Sequence, residues 1–306
     1  MCRHTTTAPT PARTAAHRRI DVAGRPRSYT LVTLGAPAVP PVAAALILVF
    51  HGSNQDAATV RKAAGWSFDA LAADDQTAGG PVVVAYLDGY HRHWNDARTS
   101  SNFAARRDGV DDVAFTEAVI ATTVDEQQVD PKRVYAVGYS NGGQLVIRLI
   151  HQVPELLAGA TIISATQPVP ENFEIPADPA TPVPVLLIHG TSNRLVPFGG
   201  GMASLWGFRK RGEGRSAPET AAYYAGRNGI TAPPTQTRLA HRPESGRTSV
   251  LRTDFRQDGK APVTLYAVEG GGHTIPNPKP FPRIMGRTTH DIVAAEVVSA
   301  FFRLRL

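Results

Sequence analysis

From Ala45 to Phe50 the chain runs apolar without a break and is bounded by turn-forming residues, the pattern of a central strand covered on both faces. Further runs of strand length fall at Pro81 to Tyr86, Val134 to Val137, Gly159 to Ser164 and Val183 to Ile188. Thr248 to Asp254 and Val263 to Val268 read as two more strands around the turn Gln257-Asp258-Gly259, and Arg18 to Val22 with Arg27 to Leu34 as an opening hairpin turning at Gly24. Between these runs the apolar period lengthens to that of a helix. It does so over Ala57 to Ala73, over Asp108 to Glu126 with Val110, Val113, Phe115 and Val119, and after Gln144 with Leu145, Val146, Leu149 and Ile150. Ala217 to Asn228 and Asp291 to Arg303 complete the helices, Asp291 reading as a charge at a helix N-terminus. Alternating strands and helices predict an α/β protein with a mostly parallel central sheet and helices on both faces.

Residues 1–16 are polar, rich in Thr, Ala and Pro, and show no period, so they read as a tail; 17–306 read as a single catalytic domain. Residues 165–182 read as a Pro-rich surface connection, and 197–216 as a glycine-rich basic loop. The formal charge of +6 and pI near 9.7 permit a polyanionic partner, but apart from Arg209-Lys210-Arg211 and the Arg18-Arg19 region Lys and Arg are scattered and read as solvated loop charge; no nucleic-acid motif accompanies them, so no nucleic acid is expected. Cys2 is the single cysteine, which excludes an intrachain disulfide. No apolar run has the length of a membrane span or the form of a signal-peptide core; a cytoplasmic protein is the default expectation. The pattern sets no oligomeric state.

Chemistry concentrates at Gly138-Tyr139-Ser140-Asn141-Gly142-Gly143, a G-x-S-x-G between a strand and a helix. Such an elbow strains the serine backbone and leaves no room beside it, which the glycines answer; Ser140 is the candidate nucleophile. The backbone N–H of Asn141, at the helix start, is one candidate oxyanion donor, and that of Ser53, in the exit turn of the strand ending at Phe50, is the other. His51 in that turn reads as structural. His91 and His93 lack a third ligand at recognisable spacing, so no metal is expected, nor any cofactor. Asp96 and Arg98 read as braces of their loop. Trp94, Trp206 and Phe208 are candidate substrate-facing aromatics. Gly270-Gly271-Gly272-His273 follows the last strand, and three glycines let the loop place His273 as general base.

Serine mid-chain and histidine after the last strand is the order of the α/β-hydrolases. Together with His51-Gly52-Ser53-Asn54-Gln55, Trp94-Asn95-Asp96 and Val110-Asp111-Asp112-Val113, these motifs give a chain that resembles, from about His17 to Phe302, the esterase family of polyhydroxybutyrate depolymerases and feruloyl esterases. The resemblance implies an α/β-hydrolase fold, Ser140 as nucleophile, His273 as base and an aspartate in an H-G-x-x-D-x-x-V-P segment. That segment is His189-Gly190 to Val196-Pro197 here, with Asn193 at the aspartate position. Asparagine orients an imidazole through its oxygen but supplies no charge, and through its nitrogen it selects the wrong tautomer. Two functions follow: a serine carboxylester hydrolase acting on a small ester or oligoester through an acyl-enzyme, and a binding protein of the same fold with little turnover.

Overall fold

The computed structural model describes residues 13–34, 43–72, 80–175, 181–205, 209–279 and 281–304. β3 (Ala44–Phe50) is buried along its whole length, and its pleat sends Leu46, Leu48 and Phe50 into one core and Ala45, Ile47 and Val49 into the other. Parallel to it on one side lies β4 (Val82–Leu87), and on the other β5 (Val129–Tyr139), β6 (Gly159–Ile163), β7 (Val185–Gly190) and β12 (Val263–Glu269). Antiparallel strands extend both edges. The hairpin of β1 (Arg13–Val22) and β2 (Arg25–Leu34) joins through β4, and β11 (Ser249–Phe255) with β10 (Thr235–Arg238) joins through β12. The order across the ten strands is β1-β2-β4-β3-β5-β6-β7-β12-β11-β10.

Helices cover both faces, because a sheet apolar on both sides must be covered twice. α3 (Asp112–Gln127), α4 (Asn141–Gln152) and α5 (Ala217–Arg227) bury Val119, Leu145, Leu149 and Tyr224 on the first face. α1 (Ala57–Ala63) and α6 (Ala294–Phe302) bury Val60, Val297 and Val298 on the second. α2 (Ala104–Arg107) is one turn in the loop before α3. Caps fix several starts: Asp56 accepts from Thr59 N–H, Asp111 from Ala114 N–H, and Ser216 and Glu219 form a reciprocal capping box.

The structure departs from the sequence reading at several places. β1 begins at Arg13, so the last four residues of the expected tail pair with β2, while residues 1–12 lie outside the described residues. The helix expected to reach Ala73 stops at Ala63, because Gly65 and Trp66 take φ of 65° and 57°, which a right-handed helix does not admit. Residues 165–168 are buried rather than superficial. The basic loop after Pro197 is a second sheet, the hairpin of β8 (Gly201–Leu205) and β9 (Arg209–Gly214). Asp291 does not cap α6, whose N-cap is Val293; it accepts from Arg242 N–H at 2.7 Å and faces His241.

Candidate active site

β5 and α4 meet at Ser140, whose φ of 54° and ψ of −115° belong to neither a helix nor a strand. The turn is held open by absence of side chains. A Cβ on Gly138 would overlap the carbonyl of Gly142, and a Cβ on Gly142 would overlap that of Phe50. Ser140 N–H donates to Ile163 O of β6 at 2.9 Å and its carbonyl accepts from Gln144 N–H of α4 at 3.0 Å, so the adjacent strand and the following helix fix the strained residue. Asn141 is locked from its side chain: Oδ1 accepts from Trp94 N–H at 2.9 Å, and Nδ2 donates to Asp96 Oδ2 at 2.7 Å. Asp96 is in turn paired bidentately with buried Arg98, so these two do brace the loop, and through Asn141 they brace the elbow as well.

Across the turn, His273 Nε2 lies 2.9 Å from Ser140 Oγ. The histidine loop is anchored at its backbone, His273 N–H donating to Met285 O at 2.7 Å and its carbonyl accepting the Tyr139 hydroxyl at 2.7 Å. On the other side of the ring, Nδ1 faces Asn193, with Nδ2 at 3.0 Å and Oδ1 at 3.2 Å. The backbone decides which atom serves the ring. Asn193 Oδ1 accepts from Leu195 N–H and Val196 N–H, each at 3.0 Å, and an amide nitrogen cannot take that place. Nδ2 is therefore the nearer atom to His273: where Nδ1 is bare, Nδ2 donates to it and the ring proton sits on Nε2, whereas a proton on Nδ1 can be given only to Oδ1 at 3.2 Å and leaves Nε2 free.

No carboxylate substitutes for the missing charge among the described residues. Asp254 is held by Arg252, Arg256 and Thr264, Glu269 by Arg238 and Ser249, and Asp291 by the Arg242 backbone. Burial, with His189 and Arg211 nearby, pushes the His273 imidazole down to about 3.

A cavity of about 130 Å³ opens above Ser140 and is lined by Ser53, Asn141, Thr166, Leu195, Val196 and the β8–β9 hairpin. The N–H groups of Ser53 and Asn141 face no acceptor among the described residues. Arg211 of β9 donates to Ser53 Oγ at 3.0 Å and stacks on Phe103 at 4.8 Å. The sequence reading left Arg211 among solvated loop charges, because nothing in Arg209-Lys210-Arg211 marks which residue turns inward; it also gave Tyr139 no part in holding the histidine loop.

Other expected residues fall elsewhere. Trp94 is not on the cavity wall but wholly buried, donating from Nε1 to His51 O at 2.8 Å and packing on Phe50. Trp206 and Phe208 lie outside the described residues. His51 is structural, its Nδ1 on Gly52 O at 2.7 Å and its Nε2 accepting from Gly89 N–H at 2.8 Å. His93 bonds to His91 O and stacks on Phe103. Among the described residues no three His, Cys, Asp or Glu side chains gather as metal ligands.

Residues 40–207 match the phospholipase/carboxylesterase family. The protein named "Putative esterase NocK" from Nocardia uniformis subsp. tsuyamanensis is 32% identical over 301 residues, covering 94% of this chain and 82% of that protein. Feruloyl esterase B from Piromyces equi is 26% identical over 209 residues, covering 63% of this chain and 34% of that protein. Among solved structures, the acetyl xylan esterase from Aspergillus awamori superposes with a TM-score of 0.58 at 12% identity over 94% of this chain and 99% of that one, which shows a shared fold. The chain therefore belongs to the phospholipase/carboxylesterase family, takes the α/β-hydrolase fold and is a carboxylester hydrolase.

Proposed function

We propose that the protein cleaves a small ester through an acyl-enzyme on Ser140, with His273 as general base and Asn193 in the acid position. The observation that carries this reading is the 2.9 Å approach of His273 Nε2 to Ser140 Oγ on a strained elbow, since a binding protein has no use for that strain. Ser140 Oγ attacks the ester carbonyl as His273 takes its proton. The N–H groups of Ser53 and Asn141 hold the oxyanion, and Arg211 beside Ser53 adds positive potential there. His273 then gives the proton to the departing alkoxide, and a water repeats the sequence to release the acid.

The cavity of about 130 Å³ suits a short or benzene-sized acyl group, by comparison with a cavity of ~150 Å³ known to take benzene. The family resemblance points to hydroxyalkanoate oligomers, feruloyl esters and small synthetic esters, and the first and last of these classes have acyl groups of that size. Replacement of Ser140 by alanine is expected to lower turnover of p-nitrophenyl butyrate by at least ~10³-fold. Full hydrolysis by that variant would sink the assignment of the nucleophile.

The amide nitrogen of Asn193 against His273 favours a second reading, a hydrolase fold with little turnover, because a ring protonated on Nε2 cannot accept the serine proton. Rapid hydrolysis of simple esters by the unaltered chain would eliminate it.

A further inference from the structure

A second, open groove of about 730 Å³ adjoins the catalytic cavity and shares His273, Leu195 and Met285 with it. Four arginines from separate turns line it, Arg194 after β7, Arg247 before β11, and Arg283 and Arg287 after the histidine loop. No aspartate or glutamate is on the groove wall among the described residues. None of the four guanidinium groups has an ion-pair or hydrogen-bond partner among those residues, whereas Arg27, Arg61, Arg98, Arg106 and Arg238 elsewhere are each tied to a carboxylate. Four unneutralised cations along one wall repel one another, and a bound anion relieves that cost.

The groove is also held in register with the chemistry. Gly272 N–H donates to Arg287 O at 2.9 Å and His273 N–H to Met285 O at 2.7 Å, so the strip carrying Arg283 and Arg287 is bonded to the loop that carries the base. Ser53, Ser140 and Asn141 line the catalytic cavity and not this groove. With the carbonyl seated between Ser53 and Asn141, the leaving oxygen turns to His273, and what it is attached to passes over His273 into the arginine groove. We propose that this groove binds the alcohol side of the ester, and that the preferred alcohol carries two or more negative charges as phosphate or carboxylate. Guanidinium forks suit both oxyanions. The inference rests on the Ser140 and His273 reading for the direction of the ester, and on the arginines alone for the charge.

The test compares kcat/KM for 4-acetoxyphenyl phosphate and 5-acetoxyisophthalate with that for neutral phenyl acetate, in the unaltered protein, in Arg283→Gln/Arg287→Gln and in Arg283→Lys/Arg287→Lys. Both substituted arginines are exposed. The preference for a dianionic ester is expected to fall about tenfold in the glutamine variant and to return in large part in the lysine variant. Pyrophosphate and citrate, titrated calorimetrically into the unaltered protein and into Ser140→Ala, report the groove without turnover. Tighter binding of pyrophosphate with preference for the phosphate ester assigns phosphate; the reverse assigns carboxylate. An anionic-to-neutral ratio that is equal in all three proteins overturns the inference, as does failure of both anions to bind. Ser140→Ala hydrolysing phenyl acetate at the full rate would remove the nucleophile and the ester direction with it, while anion binding to that same variant still reports on the charge of the groove.

Discussion

Asn193 shows how two backbone N–H groups set the outcome at one side chain. An aspartate in the same turn would give one oxygen to Leu195 and Val196 N–H and the other to His273 Nδ1, fixing the tautomer that leaves Nε2 free to take the serine proton. Asparagine fills the same volume and meets the same two donors, but its second atom is a donor too. Asn193→Asp is therefore expected to raise kcat/KM on p-nitrophenyl butyrate by on the order of 10³ to 10⁴-fold. Equal, substantial rates in both proteins would show that the acid position lies elsewhere. The same exchange moves the pH profile. An imidazole accepts a proton only when neutral, and burial with nearby positive charge holds that of His273 down to about 3, so an acid limb set by this ring is expected far below neutrality in the unaltered protein. An aspartate anion beside the ring stabilises imidazolium, so in Asn193→Asp the limb shifts up toward the ordinary histidine range. A pH series of kcat/KM on both proteins checks the direction. That Ser140, His273 and Asn193 come together was legible from motif and chain order, since a strained elbow and a glycine-rich histidine loop leave local signatures. The rotamer of Asn193 was not, because it depends on how the turn of 193–196 aims two N–H groups.

Elements were legible where packing against the sheet imposes a period. β3, β7 and α5 come out within a residue or two of where apolar pattern and caps place them, while β8 and β9 escaped, because Gly201–Leu205 and Arg209–Gly214 are short on apolar alternation and form a two-stranded sheet apart from the central one. The loop between β4 and α3 was read as braced on itself by Asp96 and Arg98, and it is the clamp on the elbow as well. Asp112, wholly buried, accepts from Arg27 at 2.7 Å and from Asn95 N–H at 2.7 Å, and Asp96 accepts from Arg98 and Asn141. Desolvation pushes the Asp112 carboxyl up even against Arg27, the mark of a charge kept inside by its partners. Removing one member of such a pair leaves the other buried and unpaired. Asp96→Ala is expected to lower unfolding free energy by about 3–5 kcal/mol, read from urea midpoints, and to reduce turnover further by releasing Asn141 from one of its two anchors. A loss under ~1 kcal/mol would mean that Arg98 finds water or another acceptor at little cost.

Over the whole molecule, the net charge of +6 looked scattered in sequence, and the fold sorts it: several cations are matched to carboxylates, and four arginines line the groove that reaches His273. Histidine is sorted as well, with consequences for stability. His51 and His151 are both pushed down to about 4, in each case mainly by burial. Their hydrogen bonds explain why the neutral ring belongs in the fold. Each donates from Nδ1 to a carbonyl, Gly52 O or Ile147 O, and accepts at Nε2, from Gly89 N–H or the Tyr223 hydroxyl. A second proton would set Nε2–H of His51 against Gly89 N–H and break that bond, while at His151 the Tyr223 hydroxyl would turn to accept and the cost is that of burying the charge. Because the folded value lies below the unfolded one, the unfolded chain binds protons first as pH falls, so this stability is complete above the unfolded value of ~6.5 and drains away down to about 4. Each ring contributes a loss on the order of 2–3 kcal/mol between pH 7.5 and 4.5. The urea midpoint is therefore expected to decline from about pH 6.5 downward, before surface carboxylates begin to titrate. His151 is the better probe because it lies far from the elbow turn that His51 supports: His151→Gln should lower stability at pH 7.5 but flatten the decline below pH 6.5. A decline of the same steepness in that variant would place the acid sensitivity elsewhere, in the paired carboxylates that give way at lower pH.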